Sequence, residues 1–270
     1  MLALVASCHS DDETRPTVMM DYTRPTFLSA PWPSETLRRA DGGIAIDGFP
    51  NPTGAPIVGR LIEMIGRDAR GFSTTAGIFL ALTGPIDQHD IASFDSVDAP
   101  VFLVPIENGA MGPRHPVEVR YREDGGPFGA PHLLSVLPLQ GKPLAPHTLY
   151  AAVVTTALVD RSPAMDTITN ARYQEALAAL SGIDVAGLAV FETDDPTITM
   201  IRAREAAPVP SVATPFVRTD LFDSFCVYQA TVPMPVYQSG TPPYEDDGGW
   251  LLDESGVPVL QGEETARIVV

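Results

Sequence analysis

The sequence predicts a mainly β fold: an antiparallel β-sandwich with a few inserted α-helices and a β-rich segment at the C-terminal end. The chain of 270 residues contains 27 prolines and 22 glycines, spread without a repeat, which indicates many turns. Short apolar runs recur between these turns. The composition, 44% apolar and 19% charged, is typical of a globular protein and excludes disorder over the whole chain.

The strongest strand signal runs from Leu149 to Leu158. Its β-branched residues, Val153 to Thr156, favour a strand because they lose χ1 freedom in a helix. Both sets of alternating positions are largely apolar, so we expect a strand that is covered on each face. Thr155 and Thr156 are therefore interpreted as core and ladder residues, not as catalytic ones.

The remaining elements follow from apolar periodicity and turn residues. Strands are predicted at Ile44 to Ile46, Ile78 to Leu82, Val101 to Pro105, Val117 to Arg122, Leu133 to Leu137, Val185 to Glu192, Phe222 to Val232, Trp250 to Leu252, Val257 to Leu260 and Ala266 to Val270. Ser34 is expected to cap a helical turn. Helices are predicted from Pro56 to Arg70, from Thr167 to Leu180, and from an Asp195 cap to about Ala206.

The helix from Pro56 to Arg70 is amphipathic, and we expect it to pack on a sheet. Its apolar positions are Ile57, Leu61, Met64 and Ile65.

The sequence predicts a domain organisation in three parts. Residues 1–26 form a signal remnant and flexible tether, with order beginning near Phe27; residues 27–207 form the sandwich with its helical insertions; residues 208–270 form a second β-rich segment.

The net charge of −17 excludes binding to nucleic acid or to an anionic membrane surface through bulk electrostatics, because phosphate groups would be repelled. A well-solvated, extracytoplasmic surface is the simpler interpretation.

Small residues precede Cys8 in Val5-Ala6-Ser7-Cys8, and this resembles the lipobox of bacterial lipoproteins. The resemblance implies lipidation of Cys8, a membrane contact through that anchor alone, and a place in the bacterial cell envelope, either outer-membrane-anchored or secreted. Met1 to Val5 is shorter than a signal peptide requires. Cys226 is then left as a buried structural thiol.

The sequence predicts no catalytic, cofactor-binding or metal-ligating residue. Gly71 to Thr75 holds only the first half of a Gly-x-Ser-x-Gly elbow and is interpreted as a turn into a strand. No phosphate-binding glycine motif occurs. The histidines have no metal-ligand spacing and are expected at the surface; they are His9, His89, His115, His132 and His147.

Two acidic clusters remain open to interpretation. Glu245 to Asp247 lies beside Tyr244 and Trp250, where it is either a solvated loop or a site for a cation or a sugar. The acidic residues between Glu192 and Asp195 are interpreted as helix-capping groups.

The pattern Leu144-x-Pro146-x-Thr148-x-Tyr150 resembles the tyrosine corner of immunoglobulin-like (Ig-like) and fibronectin type III sandwiches, in which a tyrosine hydroxyl bonds to upstream backbone. The continuation from Thr156 to Asp160 is similar to bacterial Ig-like domains. The resemblance implies an Ig-like antiparallel β-sandwich.

Several short stretches, in order, resemble the N-terminal region of secreted bacterial α/β-hydrolases of the virulence-factor lipase type. They are Pro31 to Ser34, Asp47 to Pro52, Gly71 to Thr75, Thr148 to Thr156, Val190 to Thr193 and Gly240 to Tyr244. The resemblance implies a non-catalytic accessory region of a lipase or esterase, partnered by its own downstream hydrolase domain, which we expect after the strand ending at Val270. A stand-alone surface binding or adhesion module is the alternative, and an independent hydrolase with an unfamiliar site is a third.

Overall fold

The computed structural model describes residues 15–87, 98–207, 213–244 and 248–270. Every pairing between the named strands is antiparallel, and strands hold more of these residues than helices do. The predicted mainly β class is confirmed. The chain divides into two compact units, one up to Asp195 and one from Pro196 onward. The expected boundary at residue 207 assigned the helix that begins at Ile198 to the sandwich, whereas this helix belongs to the C-terminal unit.

The described part of the N-terminal unit contains two sheets and two α-helices. One sheet has the order β3-β2-β6-β7, and its strands are β2 (Val101–Glu107), β3 (Ala110–Met111), β6 (Leu149–Thr155) and β7 (Val185–Glu192). The other has the order β1-β5-β4, and its strands are β1 (Ile78–Ala81), β4 (Val117–Arg122) and β5 (Leu133–Pro138). The helices are α1 (Pro56–Asp68) and α2 (Ala171–Ala179).

Strand β6 lies between β2 and β7 and is the centre of the larger sheet. Its first six residues are buried, which confirms the prediction of a strand covered on both faces. Residues of both sheets, among them Leu80, Leu134, Leu103 and Val153, belong to one buried apolar cluster. The two sheets therefore share a core.

The residues before Phe27 are packed against the N-terminal unit from Arg15 onward. Val18 and Met20 are buried, and Val18 forms a β-bridge with Leu82. The Arg15 guanidinium donates to the carbonyl oxygens of Thr156 and Ala157 at 3.1 and 2.9 Å. The predicted flexible tether is wrong for residues 15–26, because apolar residues at alternating positions give this stretch a buried face. Cys8 and the rest of residues 1–14 lie outside the described ranges.

The C-terminal unit is built on a three-stranded sheet of order β12-β9-β8. Its elements are α3 (Ile198–Ala206), β8 (Val217–Leu221), β9 (Cys226–Val236), the short pair β10 (Gln238–Ser239) and β11 (Gly249–Trp250), and β12 (Gly262–Val269). The expected strands at 250–252 and 257–260 reduce to β11 and one bridge between Leu252 and Pro258. Cys226 is half-buried, so the predicted buried thiol is wrong.

Strand β9 continues through Pro233 and Pro235, where the sequence predicted its end. Both prolines pair with β12, opposite Thr265 and Glu263. Strand β8 covers only Cys226 to Gln229, so beyond that point β9 has one strand neighbour. Proline is tolerated in a strand where its missing N–H would face an unpaired side.

Candidate functional site

The N-terminal unit contains an apolar groove of about 500 Å³ between α1 and a group of aromatic side chains. Four aromatic residues line it, namely Trp32, Phe49, Phe72 and Phe79. Helix α1 contributes Val58, Leu61, Ile62 and Ile65. Ser73 brings the one side-chain hydroxyl to the lining. A cavity of this size and apolar character is typical of sites for small ligands.

Trp32 is held in this groove by both backbone and ring contacts. Its N–H donates to the Phe79 carbonyl oxygen at 3.0 Å, and the Phe79 N–H donates back at 2.6 Å. Its ring meets Phe72 edge to face, with centroids 5.4 Å apart and planes at 83°. Because aromatic pairs favour this arrangement, the contact helps to hold the Trp32 ring in place.

The apolar face of α1 is largely uncovered. Ile57, Leu61, Met64 and Ile65 are between 42% and 64% exposed, and Gly66 is the buried residue of the helix. The prediction that this face packs on a sheet is wrong. Periodicity identified the apolar face, but this face borders the groove instead of entering the core.

The backbone beside the groove is fixed by a close approach at Gly71. A Cβ at this position would lie 2.7 Å from the Asp194 nitrogen, so no larger residue fits without movement. The Arg70 N–H donates to Asp194 Oδ2 at 2.9 Å, and Phe72 bridges to Thr193. The carboxylate of Asp194 therefore anchors the groove wall and does not cap a helix.

The other acidic residues of this segment do not cap α3 either. The Glu192 carboxylate pairs with Arg172 at 2.7 Å, and α3 begins after Thr197 with no side-chain cap bond. The predicted Asp195 cap is wrong. Acidic residues occur both as helix caps and in ion pairs of loops, so the sequence alone did not distinguish the two roles.

A buried carboxylate, Glu35, accepts three hydrogen bonds near this wall. Arg38 donates to both of its oxygens, at 2.6 and 2.8 Å, and the Glu192 N–H donates to Oε1 at 2.9 Å. The bond to Glu35 raises the pKa of Arg38. These three bonds tie the Glu35 carboxylate to Arg38 and to the backbone of β7, so we interpret it as a structural group.

The described residues hold no catalytic arrangement at the groove. Ser73 Oγ accepts from the Thr75 N–H at 3.2 Å, and no described histidine or carboxylate bonds to it. Within the described ranges, no group of three His, Cys, Asp or Glu residues is arranged to hold a metal ion.

The histidines within the described residues do not line the groove. His115 Nε2 lies 3.0 Å from the Lys142 carbonyl oxygen, His132 Nδ1 lies 3.0 Å from Tyr121 Oη, and His147 is exposed. His115 and His132 are half-buried, so the expectation of surface histidines fails for these two. His9, His89 and the acidic cluster at 245–247 lie outside the described residues.

The Tyr150 hydroxyl accepts a hydrogen bond from the Ala145 N–H at 3.0 Å. This is the upstream backbone contact that the tyrosine-corner pattern predicted. Burial raises the pKa of this hydroxyl. The Tyr150 ring stacks on Phe191, with centroids 6.1 Å apart, and Phe191 meets Phe72 edge to face. A continuous series of rings thus joins the groove to strand β6.

Sequence reasoning missed the groove because its residues come from four distant segments. The sequence nevertheless contained a signal for the groove. Three of the stretches that carry the hydrolase resemblance each supply one aromatic lining residue, namely Trp32, Phe49 and Phe72. Two further stretches supply Tyr150 and Phe191.

No protein-family model matches this sequence, and neither a curated protein nor a solved structure shows significant similarity to it. None of the described helices has the length and apolar character needed to cross a membrane.

Proposed function

We propose that this chain is the non-catalytic accessory region of a cell-surface ester hydrolase, and that its groove holds the acyl chain of an uncharged ester. The observation that carries the proposal is the aromatic groove. The stretches that resemble the N-terminal region of lipase-type hydrolases are far apart in sequence, and aromatic residues of three of them, Trp32, Phe49 and Phe72, meet in this cavity. Lipidation at Cys8 and a place in the bacterial cell envelope belong to the same proposal.

The chemistry of the lining favours an aliphatic ligand. Apart from Ser73 Oγ and the Trp32 indole N–H, the described side chains of the groove carry no polar atom, so binding depends mainly on apolar contact. Burial of one methylene group is worth about 0.8 kcal/mol. A chain of several methylenes therefore gains enough free energy to offset the cost of immobilisation.

The charge of the protein favours an ester over a free fatty acid. A net charge of −17 repels a carboxylate during encounter, and the described lining of the groove has no cationic side chain to neutralise one. An uncharged ester carries the same apolar chain without that penalty.

Trp32 provides a direct test. The chain has two tryptophans, so Trp250→Phe leaves Trp32 as the sole tryptophan reporter. We expect monooctanoylglycerol to change Trp32 emission saturably, and octanoate to bind at least about tenfold more weakly, a difference of about 1.4 kcal/mol.

Two substitutions on α1 make a matched pair for this test. Leu61 lines the groove, whereas Met64 does not, and their exposed fractions are 48% and 49%. Leu61→Asp should abolish the response and Met64→Asp should retain it. Equal loss in both variants, or no response in the Trp250→Phe protein, would contradict binding in the groove.

A stand-alone surface binding module is the second candidate function. The observation that favours it is a separate cleft in the C-terminal unit, lined by aromatic and polar side chains. This cleft does not depend on a hydrolase partner.

A further inference from the structure

The C-terminal unit contains a cleft of about 410 Å³ that differs in chemistry from the groove of the N-terminal unit. It lies between α3, the end of β9, the β10-β11 pair and β12. Three aromatic and three polar side chains line it, namely Tyr237, Tyr244, Trp250, Arg204, Gln238 and Glu264.

Two of the aromatic rings lie nearly parallel to each other. Tyr237 and Trp250 are stacked, with planes 9° apart and centroids separated by 6.0 Å. Trp250 is fixed by the pairing of β11 with β10, where it lies opposite Gln238. Its side chain remains 40% exposed, so this strand position presents a large ring to solvent.

The polar groups of the cleft are unused within the described part of the chain. Tyr237 Oη is buried and has no hydrogen-bond partner among these residues. Neither Arg204 nor Glu264 forms an ion pair with any of them. A buried hydroxyl without a partner is unfavourable. A ligand that supplies polar partners would remove that penalty.

We propose that this cleft binds a carbohydrate. The C–H face of a sugar ring packs on the electron-rich face of an aromatic ring, here the exposed ring of Trp250. Its hydroxyls can donate to the Glu264 carboxylate and accept from the Arg204 guanidinium and the Gln238 amide. Tyr237 Oη gains the partner that it lacks.

Other ligand classes fit less well. An acyl chain would leave the charged groups of the cleft desolvated and unpaired. A divalent cation requires several oxygen ligands, and the described lining of the cleft has one carboxylate. An anion would face Glu264 and a strongly negative protein.

The same two-tryptophan arrangement gives a site-specific test that is independent of the groove. Trp32→Phe leaves Trp250 as the sole tryptophan, so its emission reports on the cleft. The probes are cellohexaose, maltohexaose and chitohexaose, each titrated to about 10 mM. We expect at least one to change Trp250 emission saturably with a Kd of about 1 mM or below.

Neighbouring residues on β12 supply the matched control. Glu264 lines the cleft and Glu263 does not. Glu264→Gln should weaken binding of the responding hexaose by about tenfold, and Tyr237→Phe should weaken it as well, whereas Glu263→Gln should leave the affinity unchanged.

Three results would overturn the inference: no response to any of the three hexaoses, equal loss in Glu264→Gln and Glu263→Gln, or saturable binding of decaproline in their place, which would assign the cleft to a peptide. Because Trp32 reports on the groove and Trp250 on the cleft, failure at one site is separable from failure at the other.

Discussion

Gly187, within strand β7, lies against the side chain of Val18 so closely that a Cβ at position 187 would be 2.6 Å from the Val18 Cβ. Both residues are buried, and Val18 belongs to the main apolar cluster. The absence of a side chain at position 187 is therefore what lets the N-terminal stretch enter the core of the sandwich.

Gly187→Ala is expected to destabilise the protein by about 1–3 kcal/mol, because the added methyl group overpacks the contact with Val18. Thermal unfolding followed by circular dichroism measures the change in Tm. Gly59→Ala is the matched control, since position 59 lies in α1 with open space around it. The control should be neutral or more stable by up to about 1 kcal/mol. A Gly187→Ala protein with the parental Tm would show that Val18 is not packed as described.

Tyr150→Phe removes the acceptor of the Ala145 N–H while keeping the ring stacked on Phe191. We expect a loss of about 1–3 kcal/mol in the free energy of unfolding, because a part-buried donor is left without its partner. Urea denaturation measures it. Tyr228→Phe, which alters an exposed ring on β9, should change the free energy by less than about 0.5 kcal/mol. If the two variants lose the same amount, the loss in Tyr150→Phe does not come from the corner contact.

Stability should fall at alkaline pH. Burial raises the pKa of Tyr22 and of Tyr173 above the ordinary value of 10.0. In the unfolded chain these hydroxyls ionise near pH 10, whereas in the folded protein they stay protonated. The unfolded state then binds fewer protons, so the free energy of unfolding decreases as pH rises above about 10.

Denaturant melts between pH 8 and pH 11 test this expectation. The free energy of unfolding should be nearly level to about pH 9 and decline above it, and Tyr22→Phe should reduce the decline by up to about 1.4 kcal/mol per pH unit. A parental slope in Tyr22→Phe would show that this hydroxyl ionises as easily in the folded protein as in the unfolded chain.

The purified chain should not hydrolyse p-nitrophenyl octanoate above the buffer rate, because no described histidine or carboxylate is bonded to Ser73 as a general base. Ser73→Ala should give the same rate as the parent. Release of p-nitrophenol that depends on Ser73, and is lost after treatment with a serine-reactive phosphonate, would place a hydrolytic site in this chain.

The local sequence pattern predicted the bounds of several strands, but it did not predict what packs against each element. Strands β4 and β7 have the predicted bounds, since their alternation or apolar run is complete within the segment. Helix α1 was predicted too, but periodicity reports only which face is apolar and not what covers it. The structure alone therefore shows that the apolar face of α1 is exposed.

The groove and the cleft both depend on residues that are distant in sequence. Trp32 and Phe79 meet through backbone bonds, and Tyr237 and Trp250 meet through a short strand pair. No local pattern encodes such pairings. Tyr150 is the exception, because its partner Ala145 lies five residues upstream and both ends of the contact fall within one motif.

The prolines of strand β9 also affect how the C-terminal sheet meets other molecules. The Thr231 N–H points away from β12, towards Thr214 Oγ1, so positions 233 and 235 face the same side by alternation. Both are proline and have no N–H to offer there. An incoming strand would find too few donors on this side of β9. The two prolines therefore protect this side of β9 from edge-to-edge pairing with a second chain.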